Sequence, residues 1–80
     1  MYTVYILESQ KTKRYYIGHC QDLSVRLSRH NSGKVKSTKA YLPWRVIHTE
    51  EIETRSDAYK REMQIKRYKG GNAFKQLIRK

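Results

Sequence analysis

The hydrophobic positions of the chain fall into three β-branched and aromatic stretches and three stretches with helical spacing, separated by polar segments. Residues of the first kind favour strands, so strands are predicted at Tyr2–Leu7, Arg14–Gly18 and Trp44–Thr49. The polar segment from Glu8 to Lys13 is predicted to be a loop. The first two strands are therefore expected to form a hairpin.

Asp22 is the predicted start of the first helix, because an aspartate there can cap free backbone N–H groups. This helix is expected to run to about Asn31, where Asn31-Ser32-Gly33 ends it. The segment from Gly33 to Pro43 carries lysines and small polar residues. It is predicted to be a mobile basic loop.

Two more helices follow the third strand. Thr54-Arg55-Ser56-Asp57 has capping-box spacing, so a helix is predicted from there to about Lys69. Gly70-Gly71 interrupts this pattern, and Asn72 is the predicted cap of a short last helix. The fold class is α+β: a small three-stranded antiparallel sheet flanked by helices, in the order β-β-α-β-α-α. The residues that the last helix buries are expected to be Phe74, Leu77 and Ile78.

Composition limits the chain to one small core with a large positive charge. Eighty residues, of which 38% are hydrophobic, can bury one core, so a single domain over residues 1–80 is expected. Lys and Arg number 18 against 7 Asp and Glu, which gives a formal net charge of +11. Such a charge favours a nucleic acid as the partner, and a generic solvated basic surface is the alternative.

Other classes of protein are disfavoured by the same residues. No apolar run approaches the roughly 18 residues of a membrane span, and the N-terminus lacks a signal pattern. Cys20 is the only cysteine, so neither an internal disulfide nor a cysteine-rich zinc site is expected. His19 and His48 match no zinc-site spacing. A soluble cytoplasmic protein without membrane partners is therefore expected.

Two tyrosines of the hairpin are candidate site residues. If Leu7 pairs with Arg14, Tyr5 lies directly opposite Tyr16, and both phenols project from the same face. A slip of one residue would destroy this arrangement. Cross-strand tyrosines also stabilise sheets without any function, and this alternative stays open. Gly18, at the end of the second strand, would let a backbone or a phosphate come close.

The first predicted helix adds a second pair of candidates. Arg26 and His30 are four residues apart and therefore share one face. Arginine can bind a phosphate with two parallel hydrogen bonds, and histidine can accept a proton near neutral pH. The alternative is a solvated basic helix face. The residues expected to contact nucleic-acid phosphates are Lys34, Lys36, Lys39 and Arg45.

Glu62 lies within the apolar arc of the second long helix. On a helical wheel, it falls beside Ala58 and Ile65. A carboxylate on a buried helix face is costly unless it is paired or binds a metal. Two interpretations stay open: an ion pair with Lys66, one turn later, or a metal ligand.

Taken in order, these residues resemble the GIY-YIG nuclease superfamily, and most of all its small, single-domain URI-type branch. Thr3-Val4-Tyr5 and Tyr16-Ile17-Gly18 are similar to the two strand motifs, although Thr3 replaces the usual glycine and His19 a frequent lysine. The resemblance extends from Tyr2 to about Lys69. Its other motifs are Asp22-Leu23-x-x-Arg26-Leu27-x-x-His30-Asn31, Pro43-Trp44 and Arg61-Glu62-x-x-Ile65-Lys66.

The resemblance implies a β-β-α-β-α core and metal-dependent hydrolysis of a nucleic-acid phosphodiester. DNA is the favoured substrate. The resemblance makes Tyr5 the general base, directly or through His30, and Tyr16 the residue that orients the water or the phosphate. Arg26 would stabilise the developing charge, and Glu62 would hold one Mg²⁺ or Mn²⁺. Since a free tyrosine has a pKa of about 10, the two helix cations are expected to lower that of Tyr5. Lys66 joins the predicted nucleic-acid contacts.

Two alternatives to an enzyme remain at this point. One is a nucleic-acid-binding module of this fold with little turnover. The other is a basic accessory subunit of a DNA-processing complex, in repair or recombination. The larger family members carry separate DNA-recognition domains, which have no counterpart here. A protein partner or a dimer would then supply the specificity.

Overall fold

The computed structural model describes residues 1–68 and 71–79, and within them it contains a three-stranded sheet and three α-helices. The order along the chain is β-β-α-β-α-α, which confirms the predicted α+β class. A short 3-10 helix at Lys39–Tyr41 precedes the third strand. The strands are β1 (Tyr2–Ser9), β2 (Tyr15–Cys20) and β3 (Trp44–Ile52), and the helices are α1 (Leu23–Asn31), α2 (Arg55–Tyr68) and α3 (Asn72–Ile78).

The sheet has the strand order β2-β1-β3, and both pairings are antiparallel. The central strand β1 is buried almost throughout because helices cover both of its faces. Val4 and Ile6 project into a core formed with α2 and α3. Tyr5 and Leu7 project to the opposite face, where residues of α1 and of the loop before β3 pack on them. The strand β2 is an edge of the sheet, and this position determines where the candidate site opens.

The hairpin register differs from the prediction by two residues. Tyr5 lies opposite Gly18, and Tyr16 lies opposite Leu7. The turn is shorter than the predicted loop because the hydroxyl oxygen of Ser9 accepts hydrogen bonds from two backbone N–H groups of the turn, so β1 continues to Ser9. Side chains alternate with a period of two, so a shift of two residues leaves every side chain on its predicted face.

The predicted starts of the two longer helices are confirmed. The Asp22 carboxylate accepts a hydrogen bond from the Val25 N–H, and Thr54 Oγ1 accepts one from the Asp57 N–H. The expected cap at Asn72 is wrong: Gly71 is the N-cap of α3, and Asn72 already belongs to the helix. Lys69 and Gly70 lie outside the described residues.

Glu50 of β3 forms an ion pair with Arg61 of α2, and this pair connects the sheet to the helix. The two Glu50 oxygens accept hydrogen bonds from Nε and Nη2 of Arg61 at 2.7 and 2.8 Å, and His48 Nε2 lies 2.8 Å away. The Arg61 guanidinium holds the pKa of this carboxyl below its usual range. His48 is thus a strand residue with a structural contact, as predicted.

The segment between α1 and β3, predicted to be a mobile loop, has a defined conformation in the structure. The Asn31 side chain donates to the Trp44 carbonyl and accepts from the Trp44 N–H, which connects the end of α1 to the start of β3. The Trp44 indole N–H donates to the Thr38 carbonyl at 2.9 Å.

Among the described residues, no helix is long and apolar enough to cross a membrane.

Candidate active site

Three aromatic rings from three elements meet on one face of the sheet. Tyr5 of β1 is 1% exposed, and its ring centroid lies 6.3 Å from that of Tyr16 on β2. The His30 ring of α1 lies 6.2 Å from Tyr5 and 4.7 Å from Tyr16. The Tyr5 hydroxyl and His30 Nε2 are 3.3 Å apart, which places them in hydrogen-bond contact. Tyr5 and Tyr16 therefore share one face, as predicted, and His30 of α1 packs on them there.

Gly18 has a different role from the one expected. A Cβ atom at this position would lie only 2.7 Å from the Tyr5 hydroxyl, because the phenol passes directly over this residue of the edge strand. The absence of a side chain makes room for the Tyr5 phenol. The Tyr5 hydroxyl consequently reaches the outer edge of the sheet.

His30 is fully buried and touches polar groups on both sides of its ring. Its Nδ1 lies 2.9 Å from Thr38 Oγ1, and its Nε2 faces the Tyr5 hydroxyl. Burial lowers the pKa of His30, and the positive charges of Arg26 and Arg29 act in the same direction. The ring is therefore neutral at pH 7 and can accept a proton.

The expectation that nearby cations lower the pKa of Tyr5 is wrong. Burial raises the pKa of this phenol, and the neighbouring Tyr16 raises it further, while Arg26 only partly opposes them. His30 contributes no positive charge because it is neutral. Tyr5 is thus a neutral phenol at pH 7, and it can act on a proton only if it gives up its own.

Arg26 occupies the exposed side of this cluster. It is half-buried on α1, and among the described residues its guanidinium makes no hydrogen bond. Its charge nevertheless acts on Tyr5 and on His30, as their pKa values show. The guanidinium is therefore near the phenol and free to bind an incoming phosphate.

Glu62 is buried on α2, as the helical wheel predicts, with 8% of its surface exposed. Lys66 Nζ donates to Oε2 at 2.6 Å, so the ion pair proposed from the sequence is present. His19 Nδ1 lies 2.6 Å from Oε1. Sequence reasoning missed this contact with His19, although the alternation of side chains along β2 places His19 on the face of Ile17, which packs towards α2.

The tyrosines and Glu62 lie on opposite faces of the sheet and approach each other around the edge strand β2. A cleft of about 460 Å³ runs along this edge. Residues of the first face and of the loop line it together with Ile65, Lys66 and Phe74 from the second face. The negative charge of Glu62 is the smallest of the causes that raise the pKa of Tyr5. The cleft lining includes Tyr16 from the tyrosine face and Lys66, the partner of Glu62, whereas Tyr5, His30, Arg26 and Glu62 do not line it.

The side chains around Glu62 could bind a divalent metal ion only if most of the ligands of that ion came from water or substrate. The described residues contain no group of three or more His, Cys, Asp or Glu side chains that could hold a metal. Mg²⁺ commonly binds through one or two carboxylates, with waters and substrate phosphates as its other ligands. Both oxygens of Glu62 are paired in the structure, with His19 and Lys66, so an ion would have to displace one of these partners; Lys66, whose side chain is 45% exposed, is able to turn away. The residues thus fit one Mg²⁺ or Mn²⁺.

The predicted nucleic-acid contacts fall into two groups. Two of them are ion-paired: Lys66 with Glu62, and Arg45 with Glu8, on the opposite face from the tyrosines. The other three are exposed on the loop between α1 and β3, next to the cleft: Lys34, Lys36 and Lys39.

Comparison with known proteins assigns the family. A family model described as the GIY-YIG catalytic domain matches residues 1–75. The chain therefore belongs to the GIY-YIG family, a nuclease superfamily, which confirms the resemblance found in the sequence.

Similar proteins occur in Staphylococcus aureus and in Bacillus halodurans. The UPF0213 proteins of the S. aureus strains Mu50 and N315 are each 41% identical to this chain over 54 residues. The aligned part covers 66% of this chain and 66% of each relative, slightly less than two thirds. The solution NMR structure of the UPF0213 protein BH0048 from B. halodurans is similar in fold, with a TM-score of 0.60 and 30% identity. That match covers 98% of this chain and 83% of the other.

Proposed function

We propose that this protein is a metal-dependent endonuclease that hydrolyses phosphodiester bonds, with DNA as its substrate, in the cytoplasm. The observation that carries the proposal is the buried contact between the Tyr5 hydroxyl and His30 Nε2 at the edge of the sheet. This contact links a buried phenol to a neutral base that can take its proton. Membership of a nuclease superfamily supports the same conclusion.

The proton route runs from the attacking water through Tyr5 to His30. Because the pKa of Tyr5 is raised, a phenolate is scarce at pH 7. The phenol oxygen instead takes a proton from water while its own proton moves to Nε2 of His30, which becomes an imidazolium. Tyr16, whose ring lies beside both, orients the water or the phosphate.

Charge on the phosphate is balanced from both faces of the sheet. Arg26 binds the phosphoryl oxygens from α1, since planar guanidinium groups match them in geometry. Glu62 would hold one Mg²⁺ or Mn²⁺, and this ion supplies Lewis-acid stabilisation of the phosphate and the leaving oxygen. The cleft along β2 is lined by Tyr16 and by Lys66, the ion-pair partner of Glu62, so a phosphate bound there would lie between the two faces.

One observation favours a second candidate function. His19 and Lys66 satisfy both oxygens of Glu62 without any metal. If that pairing persists in solution, the protein is a nucleic-acid-binding module with little turnover, or a basic accessory subunit. In either case, we propose one domain of the URI type that takes its specificity from a protein partner or a second copy.

Cleavage of a labelled substrate panel tests the proposed function directly. We expect cleavage of at least one substrate among single-stranded, duplex and flap DNAs and single-stranded RNA when Mg²⁺ or Mn²⁺ is present. Addition of EDTA should abolish it. Tight binding of the panel without cleavage in either metal would favour the binding module instead.

Nucleic-acid affinity is expected to fall steeply as salt rises, because binding a polyanion releases counterions. Replacing Lys34, Lys36 and Lys39 together by Gln should reduce the slope of log affinity against log salt by roughly 3 on duplex DNA. Fluorescence anisotropy at several salt concentrations measures this slope. The matched control neutralises exposed cations of α2 and α3: Lys60, Arg67 and Lys75. Equal slopes for the two triple variants, or an affinity independent of salt, would contradict the prediction.

A further inference from the structure

Thr38 is buried in the middle of an otherwise exposed basic segment. It is 1% exposed, whereas its neighbours Ser37 and Lys39 are exposed. Burying a hydroxyl in such a place is unfavourable unless its hydrogen bonds are satisfied. The contacts of Thr38 therefore indicate why the loop turns inwards at this residue.

The position of Thr38 is fixed without any help from His30. Its backbone N–H donates to the Val35 carbonyl, and its own carbonyl accepts from the Tyr41 N–H and from the Trp44 indole. The Asn31 side chain in turn forms hydrogen bonds with both the backbone N–H and the carbonyl of Trp44. The loop is thus connected to the end of α1, one residue beyond His30, and it presents the Thr38 hydroxyl to the imidazole from a fixed point.

The direction of each hydrogen bond follows from the chemistry of the partners. Thr38 Oγ1 lies 3.3 Å from the Val35 carbonyl oxygen, which also accepts from the backbone N–H groups of Thr38 and Lys39, and we infer that the hydroxyl proton is donated to this carbonyl. Thr38 Oγ1 is then an acceptor towards His30 Nδ1, 2.9 Å away, so Nδ1 carries the ring proton. A neutral imidazole has only one such proton, so Nε2 presents its lone pair to the Tyr5 hydroxyl.

We propose that Thr38 is a positioning residue that holds His30 in the tautomer protonated at Nδ1, and so keeps Nε2 ready to accept the proton of Tyr5. The opposite tautomer would point an N–H at the Tyr5 oxygen and block the transfer. This role deepens the proposed function and rests on it, but the tautomer itself is a property of the folded protein. The ring contacts Tyr5 from β1, Tyr16 from β2 and Thr38 from the loop, and the positive charges of Arg26 and Arg29 on α1 act on it.

Long-range ¹H–¹⁵N NMR of the imidazole of His30 tests the proposal independently of any nuclease activity. We expect the wild type and Thr38→Ser to show a protonated Nδ1 and an unprotonated Nε2. Thr38→Val keeps the shape but removes the acceptor, so the proton should shift to Nε2 in all or part of the population. Thr49→Val, at an exposed threonine of β3, is the matched control and should leave the spectrum unchanged. A wild-type ring protonated at Nε2, or an unchanged tautomer in Thr38→Val, would overturn the proposal.

Kinetics on the same variants connect the tautomer to the reaction. Loss of a group that orients a reactive histidine typically costs 10- to 100-fold, so Thr38→Val should lower kcat by about that factor with KM nearly unchanged. Thr38→Ser should restore kcat, and melting temperatures identify any variant that fails to fold. If the wild type cleaves nothing but the tautomer responds to Thr38→Val, the proposed function fails and the role of Thr38 in fixing the tautomer stands. A fall in kcat without a change of tautomer would refute that role.

Discussion

Replacing Glu62 by Gln is expected to reduce metal-dependent cleavage by several orders of magnitude, with little loss of affinity for nucleic acid. Glutamine keeps the shape of the side chain but removes the charge that would hold the divalent ion. Stabilisation of the phosphoryl transition state by a metal is worth several kcal/mol, and each ~1.4 kcal/mol corresponds to about tenfold in rate. The fold should survive, because Lys66 is 45% exposed and can turn to water once its partner is neutral.

Glu50 provides a closely matched control for this experiment. Its carboxylate also lies between a histidine and a longer cation, His48 and Arg61, on the same face of the sheet. Glu50→Gln should lower the melting temperature, because Arg61 loses the carboxylate that accepts two hydrogen bonds from its guanidinium. It should leave cleavage at 25 °C unchanged.

Three measurements on both variants decide the role of Glu62: melting temperature, oligonucleotide affinity and Mg²⁺-dependent cleavage. A metal ligand predicts a selective loss of cleavage in Glu62→Gln alone. A purely structural ion pair predicts that both variants lose stability and that neither loses activity. Cleavage at the wild-type rate by a well-folded Glu62→Gln would therefore end the metal assignment.

The side-chain faces could be predicted from the sequence more reliably than the strand pairing. Tyr5 and Tyr16 lie on one face although their expected pairing was wrong, because the error was two residues and faces repeat every two. The pairing itself depends on how the Ser9 hydroxyl binds the turn, and the polar sequence of the loop leaves that turn undetermined. Glu62 was equally predictable, since helical periodicity alone places it among buried residues.

Long-range contacts account for what the sequence could not predict. The loop after α1 has no hydrophobic periodicity, yet Thr38 reaches His30 because Trp44 and Asn31 hold the loop. The raised pKa of Tyr5 likewise depends on the burial of its phenol, which a local sequence motif cannot predict. The family motifs indicate candidate site residues, whereas the protonation states of those residues depend on the packing around them.

Replacing Tyr5 by Phe is expected to reduce cleavage by about 10²- to 10⁴-fold, the usual contribution of a positioned acid–base group. The ring should still pack over Gly18, since that contact needs only the aromatic plane. The matched control is Tyr2→Phe, on the same strand but on the face that packs against the core formed with α2 and α3. That variant should cleave at the wild-type rate. Equal rates for Tyr5→Phe and the wild type would show that the phenol oxygen has no part in the reaction.

The pH profile of the wild type distinguishes the two ways in which Tyr5 could act. If the proton passes to neutral His30, the rate requires unprotonated imidazole, whose pKa is lowered by burial. Cleavage should then be lost only as the pH falls through a value below about 6.5, and it should stay level from pH 7 to pH 9. If a Tyr5 phenolate were the base, its raised pKa would make the rate climb about tenfold per pH unit throughout that range. A level profile together with the loss of activity in Tyr5→Phe is the result that the buried contact between Tyr5 and His30 predicts.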